Sequence, residues 1–286
     1  MKLYNRILIS GAYGGLGSDF CDYLTGKGFV INKSRVDITN KEEVFSEMKG
    51  IDPEIVIHLA AMVGTKDCEE VPQQAIRTNV EGTFNAVDAA RKLNIKFVYF
   101  STTAIFKPGI EPIDELSPIE PYTIYGKTKL WGEQIAKSYI PRNDLLVVRP
   151  CFGFGGRTDV SQLGALIRSH YSHKYVNLLL DMNNEKDYTH VRNISHALYL
   201  MLSKDRFGEE YNVSYGEAIP YGEIIKKLIK HGISPYYYTF PELDYMGNHI
   251  VSNKKIVNDL GFKNLISLDK GIEMVLEKIK TNEKTK

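Results

Sequence analysis

Cysteine is scarce in this sequence, and its three copies form no pattern. Cys21, Cys68 and Cys151 are odd in number, widely spaced and without the short spacing of metal ligands. Such an arrangement argues against a disulfide-rich secreted domain and against a cysteine-ligated metal site. We therefore expect reduced thiols in a cytoplasmic protein that binds no metal.

An excess of either charge is also missing, because 36 Lys and Arg residues are balanced by 35 Asp and Glu residues. No basic run is long enough to indicate nucleic acid or an anionic membrane surface as a partner. No signal peptide and no membrane-spanning segment stands out in the sequence. We expect a small-molecule ligand, no nucleic acid and no membrane.

The sequence does contain a glycine-rich turn near its start. An apolar run ends in Gly11, Gly14 and Gly17, which predicts a buried strand, a tight turn and the start of a helix. Backbone N–H groups and the positive end of a helix bind a pyrophosphate in this arrangement. Gly11 would make the turn, Gly14 would admit the phosphate, and Gly17 would let helix and strand pack closely. Glycine turns also occur for plain backbone reasons, so the motif by itself is a hypothesis.

The end of the predicted second strand indicates which dinucleotide binds. NAD sites usually place an acid there for the ribose hydroxyls, whereas this chain has Ser34 and Arg35. A hydroxyl and a guanidinium suit a 2′-phosphate better than a diol, which favours NADP over NAD. The alternative is that Lys33 and Arg35 are solvated loop charges. Asp37 could reach the adenine amino group or serve as a turn residue.

Strands and helices alternate along the chain, which predicts a parallel sheet covered on both faces. We predict an α/β protein with a Rossmann-type doubly wound parallel sheet over residues 1–155. A small mixed C-terminal substrate lobe is expected mainly over residues 156–286, since 43% hydrophobic content suffices for both cores. Helices are predicted over residues 15–27, 73–94, 162–169, 192–202, 221–230 and 268–280, with another opening at a capping box over residues 39–42. Strands are predicted over residues 29–34, 54–59, 96–101, 176–180 and 210–213.

Side chains suited to proton transfer follow the predicted strand over residues 96–101. Thr102 and Thr103 come at its end, where doubly wound folds bind ligands. Tyr125 and Lys129 are four positions apart and share one face of a helix. An ammonium beside a phenol lowers the pKa of the phenol, which provides a proton donor or acceptor for a carbonyl or an alcohol. A surface pair formed by chance is the alternative. His58 lies inside an apolar run and is predicted to be a packed core histidine.

Several motifs together resemble one enzyme family. They are the glycine turn, HLAA at residues 58–61, NVEGT at 79–83, YGKTK at 125–129, Arg149 followed by Pro150, and KDYTHV at 186–191. In this combination the chain is similar to extended short-chain dehydrogenases/reductases of the NAD-dependent epimerase/dehydratase family, which act on nucleotide sugars. The resemblance covers essentially the whole chain.

The resemblance implies roles for individual residues. Thr102 is the hydroxyl partner, Tyr125 the proton donor or acceptor, and Lys129 the residue that holds the nicotinamide ribose and tunes the tyrosine. The cofactor, NADP or NAD, is expected to contact Gly11, Gly14, Gly15, Leu16, Arg35, Asp37, Ile38, Leu59, Ala60, Ala61, Tyr125 and Lys129. The nucleotide sugar is expected near Thr102, Thr103, Phe152 and Arg192. Arg192 could be either a surface charge or a contact for the diphosphate. A homodimer is implied too, because many relatives pair the long helix and the active-site helix into a four-helix bundle.

Departures from the family pattern indicate which of the family's reactions the sequence favours. Family dehydratases carry an Asp-Glu pair after the Thr, where this chain has Thr103 and Ala104, and no cysteine of the GDP-fucose synthase type follows. The second-strand exit looks more like the dTDP-4-dehydrorhamnose reductase branch, and Phe152 stands where epimerases often have Asn. These features favour reduction of a 4-keto 6-deoxy sugar with Tyr125 as the proton donor. The alternatives are a nucleotide-sugar 4-epimerase with tightly held NAD, a 4-dehydrogenase, and a non-catalytic dinucleotide sensor.

Overall fold

The computed structural model describes residues 4–109, 111–156, 161–244 and 246–283. The strands are β1 (Arg6–Ser10), β2 (Val30–Lys33), β3 (Ile55–His58), β4 (Lys96–Phe100), β5 (Leu145–Pro150), β6 (Gly153–Phe154), β7 (Val176–Leu178), β8 (Glu185–Lys186), β9 (Thr189–His190), β10 (Glu210–Val213), β11 (Ile219–Pro220) and β12 (Tyr237–Thr239). The helices are α1 (Gly15–Gly26), α2 (Lys41–Ile51), α3 (Thr65–Glu70), α4 (Pro72–Ile76), α5 (Gly82–Lys92), α6 (Ile124–Tyr139), α7 (Gln162–Ser172), α8 (Val191–Ser203), α9 (Tyr221–Lys230), α10 (Lys254–Leu260) and α11 (Leu268–Glu283).

A six-stranded sheet with the order β10-β5-β4-β3-β1-β2 forms the centre of the fold, and every neighbouring pair in it is parallel. The predicted Rossmann-type α/β class is confirmed. The chain leaves β1 toward β2 on one side and returns to β3 on the other. The crevice at the carboxyl ends of β1 and β3 is therefore the switch point at which such sheets bind ligands.

Successive residues of the central strands point into two separate cores. Ile7 and Ile9 of β1 pack in a cluster with residues of α1 and α8, whereas Leu8 packs with α2, α5 and α6 on the opposite face. These side chains are at most 1% exposed. Because both faces are covered, the strands are continuous apolar runs with no polar alternation.

Helix α2 begins one residue later than the predicted capping box. Asn40 is the N-cap, and its side chain accepts a hydrogen bond from the backbone of Glu43 while donating to the Glu43 carboxylate at 2.8 Å. The prediction that Thr39 caps the helix is wrong. Its hydroxyl instead donates to Asp37 at 2.9 Å, which removes it from the helix end.

The long helix predicted over residues 73–94 forms in three consecutive parts. Helix α4 is followed by a π-helical turn, Arg77–Glu81, and then by α5. A π turn contains an extra residue and is often found at functional sites. Asn79 lies in this turn and is 1% exposed, so its amide group is held inside the protein.

The chain after residue 155 contributes to the sheet core that contains Ile7 and Ile9 and also forms a cluster of its own. A third apolar cluster contains residues of α7, α9 and α11 together with β7 and the residues before β9. The pairs β7–β12, β8–β11 and β6–β9 form small separate sheets. The strand predicted over residues 210–213, however, is β10 at the edge of the central sheet, and α8 packs on α1. The division into two lobes at residue 155 stays a prediction.

Membrane-spanning helices and clusters of metal ligands are both missing from the described ranges. None of the helices found there has both the length and the apolar character needed to cross a membrane. Within the same ranges, no three His, Cys, Asp or Glu side chains are grouped so that they could hold a metal ion.

Replacing Gly132 with Ala tests how closely α6 packs on the sheet. A Cβ at Gly132 would lie 3.0 Å from Cζ of the fully buried Tyr99 and nearer still to its hydroxyl. We expect G132A to destabilise the protein by about 1–3 kcal/mol, because the overpacking outweighs the better helix propensity of Ala. The matched control is G50A in α2, where a Cβ meets open space and a gain of up to about 1 kcal/mol is expected. Urea denaturation measures both variants, and equal effects would contradict the close packing.

Candidate active site

The turn between β1 and α1 is open because glycine stands wherever the backbone comes close. Gly11 has a φ of +70°, and a Cβ on it would lie 2.7 Å from the backbone nitrogen of Ala60. A Cβ on Gly17 would lie 2.8 Å from the Cα of Ala12. Gly14 caps α1 without any side-chain hydrogen bond. The N–H groups of the first helical turn therefore face a cradle that fits a pyrophosphate.

Gly15 and Leu16 begin α1 and meet the loop that follows β5. A Cβ on Gly156 would lie 2.6 Å from the carbonyl oxygen of Gly15, and one on Gly153 would contact Leu16 at 3.8 Å. The start of α1 is thus bordered by a second glycine-containing loop. This placement is consistent with the predicted contact of both residues with a dinucleotide.

Of the two groups predicted for a 2′-phosphate, the structure leaves one available. The Arg35 guanidinium lies 4.3 Å from the ring centroid of Tyr13, a residue of the glycine turn, and both side chains are exposed. The Ser34 hydroxyl is buried and donates to Glu47 at 2.6 Å. Arg35 is therefore held beside the cofactor turn, whereas Ser34 is used inside the protein.

Asp37 and Ile38 form the turn before α2. Oδ1 of Asp37 accepts hydrogen bonds from the backbone and the hydroxyl of Thr39, each at 2.9 Å, and these bonds lower the pKa of the Asp37 carboxyl. Ile38 is buried, and its carbonyl accepts from Asn85 at 3.0 Å. The geometry of Asp37 matches the turn-residue alternative, and its contact with adenine stays a prediction.

The turn after β3 runs beside the glycine turn. Leu59 donates its N–H to the Ser10 carbonyl at 3.2 Å, and Ala60 donates to the Ser10 hydroxyl at 3.4 Å. Leu59, Ala60 and Ala61 are all partly buried. The small side chains keep the backbone close to the cradle, as the predicted cofactor contact requires.

Asn79 fixes this turn to the active-site helix, a role that the sequence analysis missed. Its Oδ1 accepts from the backbone of Met62 at 2.7 Å, while its Nδ2 donates to the Met62 carbonyl and to the Thr128 hydroxyl, each at 3.0 Å. One amide thus joins the turn after β3 to α6. The NVEGT motif was the available signal, but it does not show which partners the amide takes.

His58 is a packed core histidine, as predicted. Its Nδ1 is 2.8 Å from the Ser10 hydroxyl, its Nε2 is 3.2 Å from the Thr83 hydroxyl, and its ring stacks on Tyr99. Burial lowers the pKa of His58 to about 3, so the imidazole is neutral near pH 7. Nothing in this arrangement assigns it a proton-transfer role.

Thr102 and Tyr125 meet at the carboxyl end of β4. Thr102 follows the strand and is 8% exposed, and its hydroxyl lies near enough to the phenol of Tyr125 to act on its pKa. Gly126 makes this meeting possible, because a Cβ there would lie 2.5 Å from the carbonyl oxygen of Ala104 in the turn after Thr102. The first turn of α6 can therefore lie directly against the end of β4.

Burial controls the ionisation of the site. It raises the pKa of Tyr125 to about 12, although the hydrogen bond from Thr102 acts in the opposite direction. It also lowers the pKa of Lys129 to about 7, against the attraction of Glu133. The Lys129 ammonium lies 4.6 Å from the ring centroid of Tyr99. Desolvation of the phenol is thus the largest effect on the Tyr125 pKa, and a lowering of that pKa by Lys129 stays a prediction.

The predicted substrate residues Thr103 and Phe152 both contact His249, which the sequence analysis did not single out. The Thr103 hydroxyl lies 2.9 Å from Nε2 of His249, and both residues are buried. The Phe152 ring packs edge-on against His249 with centroids 5.4 Å apart. Thr103 thus has its hydrogen-bond partner inside the protein, and its contact with substrate stays a prediction.

Arg192 forms an ion pair within the protein. Its guanidinium donates to Asp19 of α1 at 2.9 Å and lies over the Tyr23 ring. The guanidinium is thus engaged within the protein rather than free at the surface, and its contact with the diphosphate stays a prediction. A buried cation, Lys186, is paired with Asp244 at 3.2 Å, and each of these side chains is 4% exposed. No spacing in the sequence signals this second pair.

The sequence model of the NAD dependent epimerase/dehydratase family matches residues 7–214. The chain belongs to this family, which confirms the predicted membership and the predicted NAD-type cofactor. The family contains enzymes with more than one kind of reaction, so membership establishes the class of enzyme and not the individual reaction.

Among curated relatives, the chain is 30% identical to a dTDP-4-dehydrorhamnose reductase of Aggregatibacter actinomycetemcomitans over 57% of this chain and 58% of that protein. It is 25% identical to the UDP-glucuronate 4-epimerase of Thermodesulfobacterium geofontis over 87% of this chain and 79% of that protein. A spore coat polysaccharide biosynthesis protein of Bacillus subtilis, SpsK, is 26% identical, and the match spans 57% of its length. The chain thus matches less than two thirds of the reductase and of SpsK.

Solved structures show the same fold at low identity. The structure of MoeE5 in complex with UDP-glucose and NAD superposes with a TM-score of 0.86 at 22% identity, covering 98% of this chain and 100% of that one. This likeness supports the fold alone.

Replacing His249 with Gln tests whether its neutral, buried state costs stability in acid. Burial lowers the pKa of His249 from the ordinary value of 6.5 to about 3. Between these two pH values the imidazole is therefore protonated in the unfolded chain and neutral in the folded protein. The free energy of unfolding should therefore decrease as the pH falls from 6 to 4. In H249Q this decrease should be smaller by about 1.4 kcal/mol per pH unit. Urea denaturation at several pH values measures this, and a difference between the proteins that stays constant with pH would contradict it.

Proposed function

We propose that this protein is an NAD(P)H-dependent reductase of a 4-keto group on a nucleotide-linked sugar. The observation that carries the proposal is that Thr102 and Tyr125 are brought together at the carboxyl end of β4, where Gly126 lets the first turn of α6 approach the turn after Thr102. No acid follows Thr102 at the next two positions, where Thr103 and Ala104 stand. An arrangement with a proton donor and without a dehydratase acid and base suits simple carbonyl reduction.

Tyr125 is the proton donor in the proposed mechanism. Its pKa of about 12 keeps the phenol protonated near neutral pH, ready to donate to the sugar O4 as C4 is reduced. The Thr102 hydroxyl orients the same oxygen. Lys129, one helical turn away, would hold the nicotinamide ribose. The dinucleotide, when bound, supplies the hydride to C4.

NADP is the proposed form of the cofactor. The exposed Arg35 guanidinium, 4.3 Å from the ring centroid of Tyr13 in the glycine turn, supports this choice, because a guanidinium suits a 2′-phosphate. No carboxylate follows β2 directly at residues 34–36 to bind the two ribose hydroxyls of NAD.

A nucleotide-sugar 4-epimerase with tightly held NAD is the second candidate. The similarity to a named 4-epimerase covers 87% of this chain, more than the similarity to the reductase covers. If the same residues catalysed the reverse reaction, the protein would be a 4-dehydrogenase.

A homodimer through α5 and α6 is proposed as well, supported by the 41% exposure of Trp131 on α6.

Replacing Tyr125 with Phe should reduce kcat by about 10²- to 10⁴-fold, because it removes the proton donor. The Kd for NADPH, measured by fluorescence titration, should change little, since the cradle around α1 is untouched. The matched control is Y139F, the same change at the far end of α6, and it should keep normal turnover. Near-normal kcat in Y125F would remove Tyr125 from the mechanism.

A substrate panel separates reductase from epimerase. The protein is incubated with 4-keto-6-deoxy and ordinary nucleotide sugars while the absorbance of added NADPH or NADH is followed and products are identified. A reductase should consume one cofactor per product and prefer NADPH, and R35A should weaken NADPH binding far more than NADH binding. Interconversion of two ordinary sugars without net loss of NAD(P)H would establish the epimerase instead.

A further inference from the structure

Helix α6 carries a third buried ionisable residue in line with the two assigned to the reaction. Tyr125, Lys129 and Glu133 are spaced by four positions, so they lie on one face of the helix, one turn apart. Lys129 is 4% exposed and Glu133 is 1% exposed. A carboxylate so thoroughly buried on the catalytic face needs an explanation in terms of its partners.

The carboxylate of Glu133 is held in a fixed position by the sheet behind it. Arg149 of β5 donates through Nε at 3.1 Å and through Nη2 at 2.6 Å to the two carboxylate oxygens, and the Arg149 side chain is itself buried. Lys137, one turn further along α6, approaches at 2.8 Å. Although burial acts to raise it, the hydrogen bond and charge of Arg149 lower the pKa of Glu133 to about 2, so the group is ionised.

Lys129 has no such partner. Its ammonium lies over the Tyr99 ring, and across the described part of the chain it forms no ion pair with a carboxylate. The Tyr99 hydroxyl donates to the backbone carbonyl of Lys129 at 3.0 Å, which fixes the helix but leaves the ammonium unpaired. Within the described ranges, the Glu133 carboxylate is the group whose charge acts to raise the Lys129 pKa, against the effect of burial.

We propose that Glu133 is a positioning residue that holds Lys129 in its cationic form, through a carboxylate clamped by Arg149 one helical turn below it. The inference rests on the proposed function, in which the Lys129 ammonium binds the nicotinamide ribose and acts next to Tyr125. A neutral Lys129 would lose its charge-assisted hydrogen bonds to that ribose and its attraction for a developing phenolate.

Titratable groups from several packed elements lie around this pair. His58 on β3 and Tyr99 on β4 interact with Lys129, Tyr125 precedes Lys129 by one turn of α6, and Arg149 on β5 and Lys137 on α6 contact Glu133. Glu210 on β10 pairs with Arg149 and Lys137, and Glu115 lies near Arg149. Glu133 and Glu210 balance Arg149 and Lys137. Loss of the Glu133 charge therefore leaves Lys129 near a net positive cluster.

Two substitutions that should shift the titration midpoint of Lys129 in opposite directions test the proposal. The titration of the Lys129 side chain is followed by NMR in protein labelled with ¹³C-lysine and free of added cofactor, with the signal assigned by its absence in K129M. E133Q should move the Lys129 midpoint down by about one pH unit or more, because an attractive charge is lost. K137M should move it up, because a competing cation is lost. E133D keeps the negative charge, so its Lys129 midpoint should lie close to that of the unchanged protein.

A purely structural role for Glu133 predicts a different pattern. Both E133Q and K137M would then lower the urea midpoint without displacing the Lys129 titration, and that result would overturn the proposal. If E133Q gives no folded protein by circular dichroism, K137M decides, and a Lys129 midpoint that stays or falls in K137M contradicts the inference. The alkaline limb of the pH profile of kcat/KM should shift in each variant in the same direction as the Lys129 midpoint measured by NMR. Because the titration needs no substrate, an absence of reductase activity would count against the proposed function alone.

Discussion

The close approach of α6 to the carboxyl end of β4 is the constraint on which the rest of the site depends. Glycine is present at both places where the helix comes nearest, Gly126 against the Ala104 carbonyl and Gly132 against Tyr99. A side chain at either glycine would clash with these groups. Only with this spacing can the phenol of Tyr125 reach the Thr102 hydroxyl, and only then does Glu133 reach the sheet behind the helix.

That same approach removes water from Tyr125 and Lys129, and burial then affects their pKa values more strongly than their neighbours do. The phenol of Tyr125 becomes a weaker acid and the ammonium of Lys129 a stronger one. A proton donor that stays protonated suits reduction, whereas a lysine near its titration point needs external support to stay charged. The buried carboxylate on the next turn of α6, held by Arg149, supplies that support.

The C-terminal part of the chain also shapes the site from behind. His249 reaches the hydroxyl of Thr103, and Phe152 packs on its ring, so the residues after β4 and β5 are held in place by a segment distant in sequence. The central sheet is completed by β10 from the same part of the chain. The residues after β4 and β5 and the C-terminal segment are thus parts of one interlocked structure.

Local patterns in the sequence were sufficient to predict the parallel sheet, the glycine turn and the shared face of Tyr125 and Lys129, because each depends on consecutive residues and a fixed backbone period. They also predicted His58 as a core residue, since it lies within an apolar run. The partners of the polar side chains were decided by the tertiary structure alone. Thr103 meets His249 across 146 positions and Arg192 meets Asp19 across 173, distances over which no local rule operates. The pKa of Lys129 likewise depends on the exclusion of water by α6 and the sheet together, a property that exists only once the chain has packed.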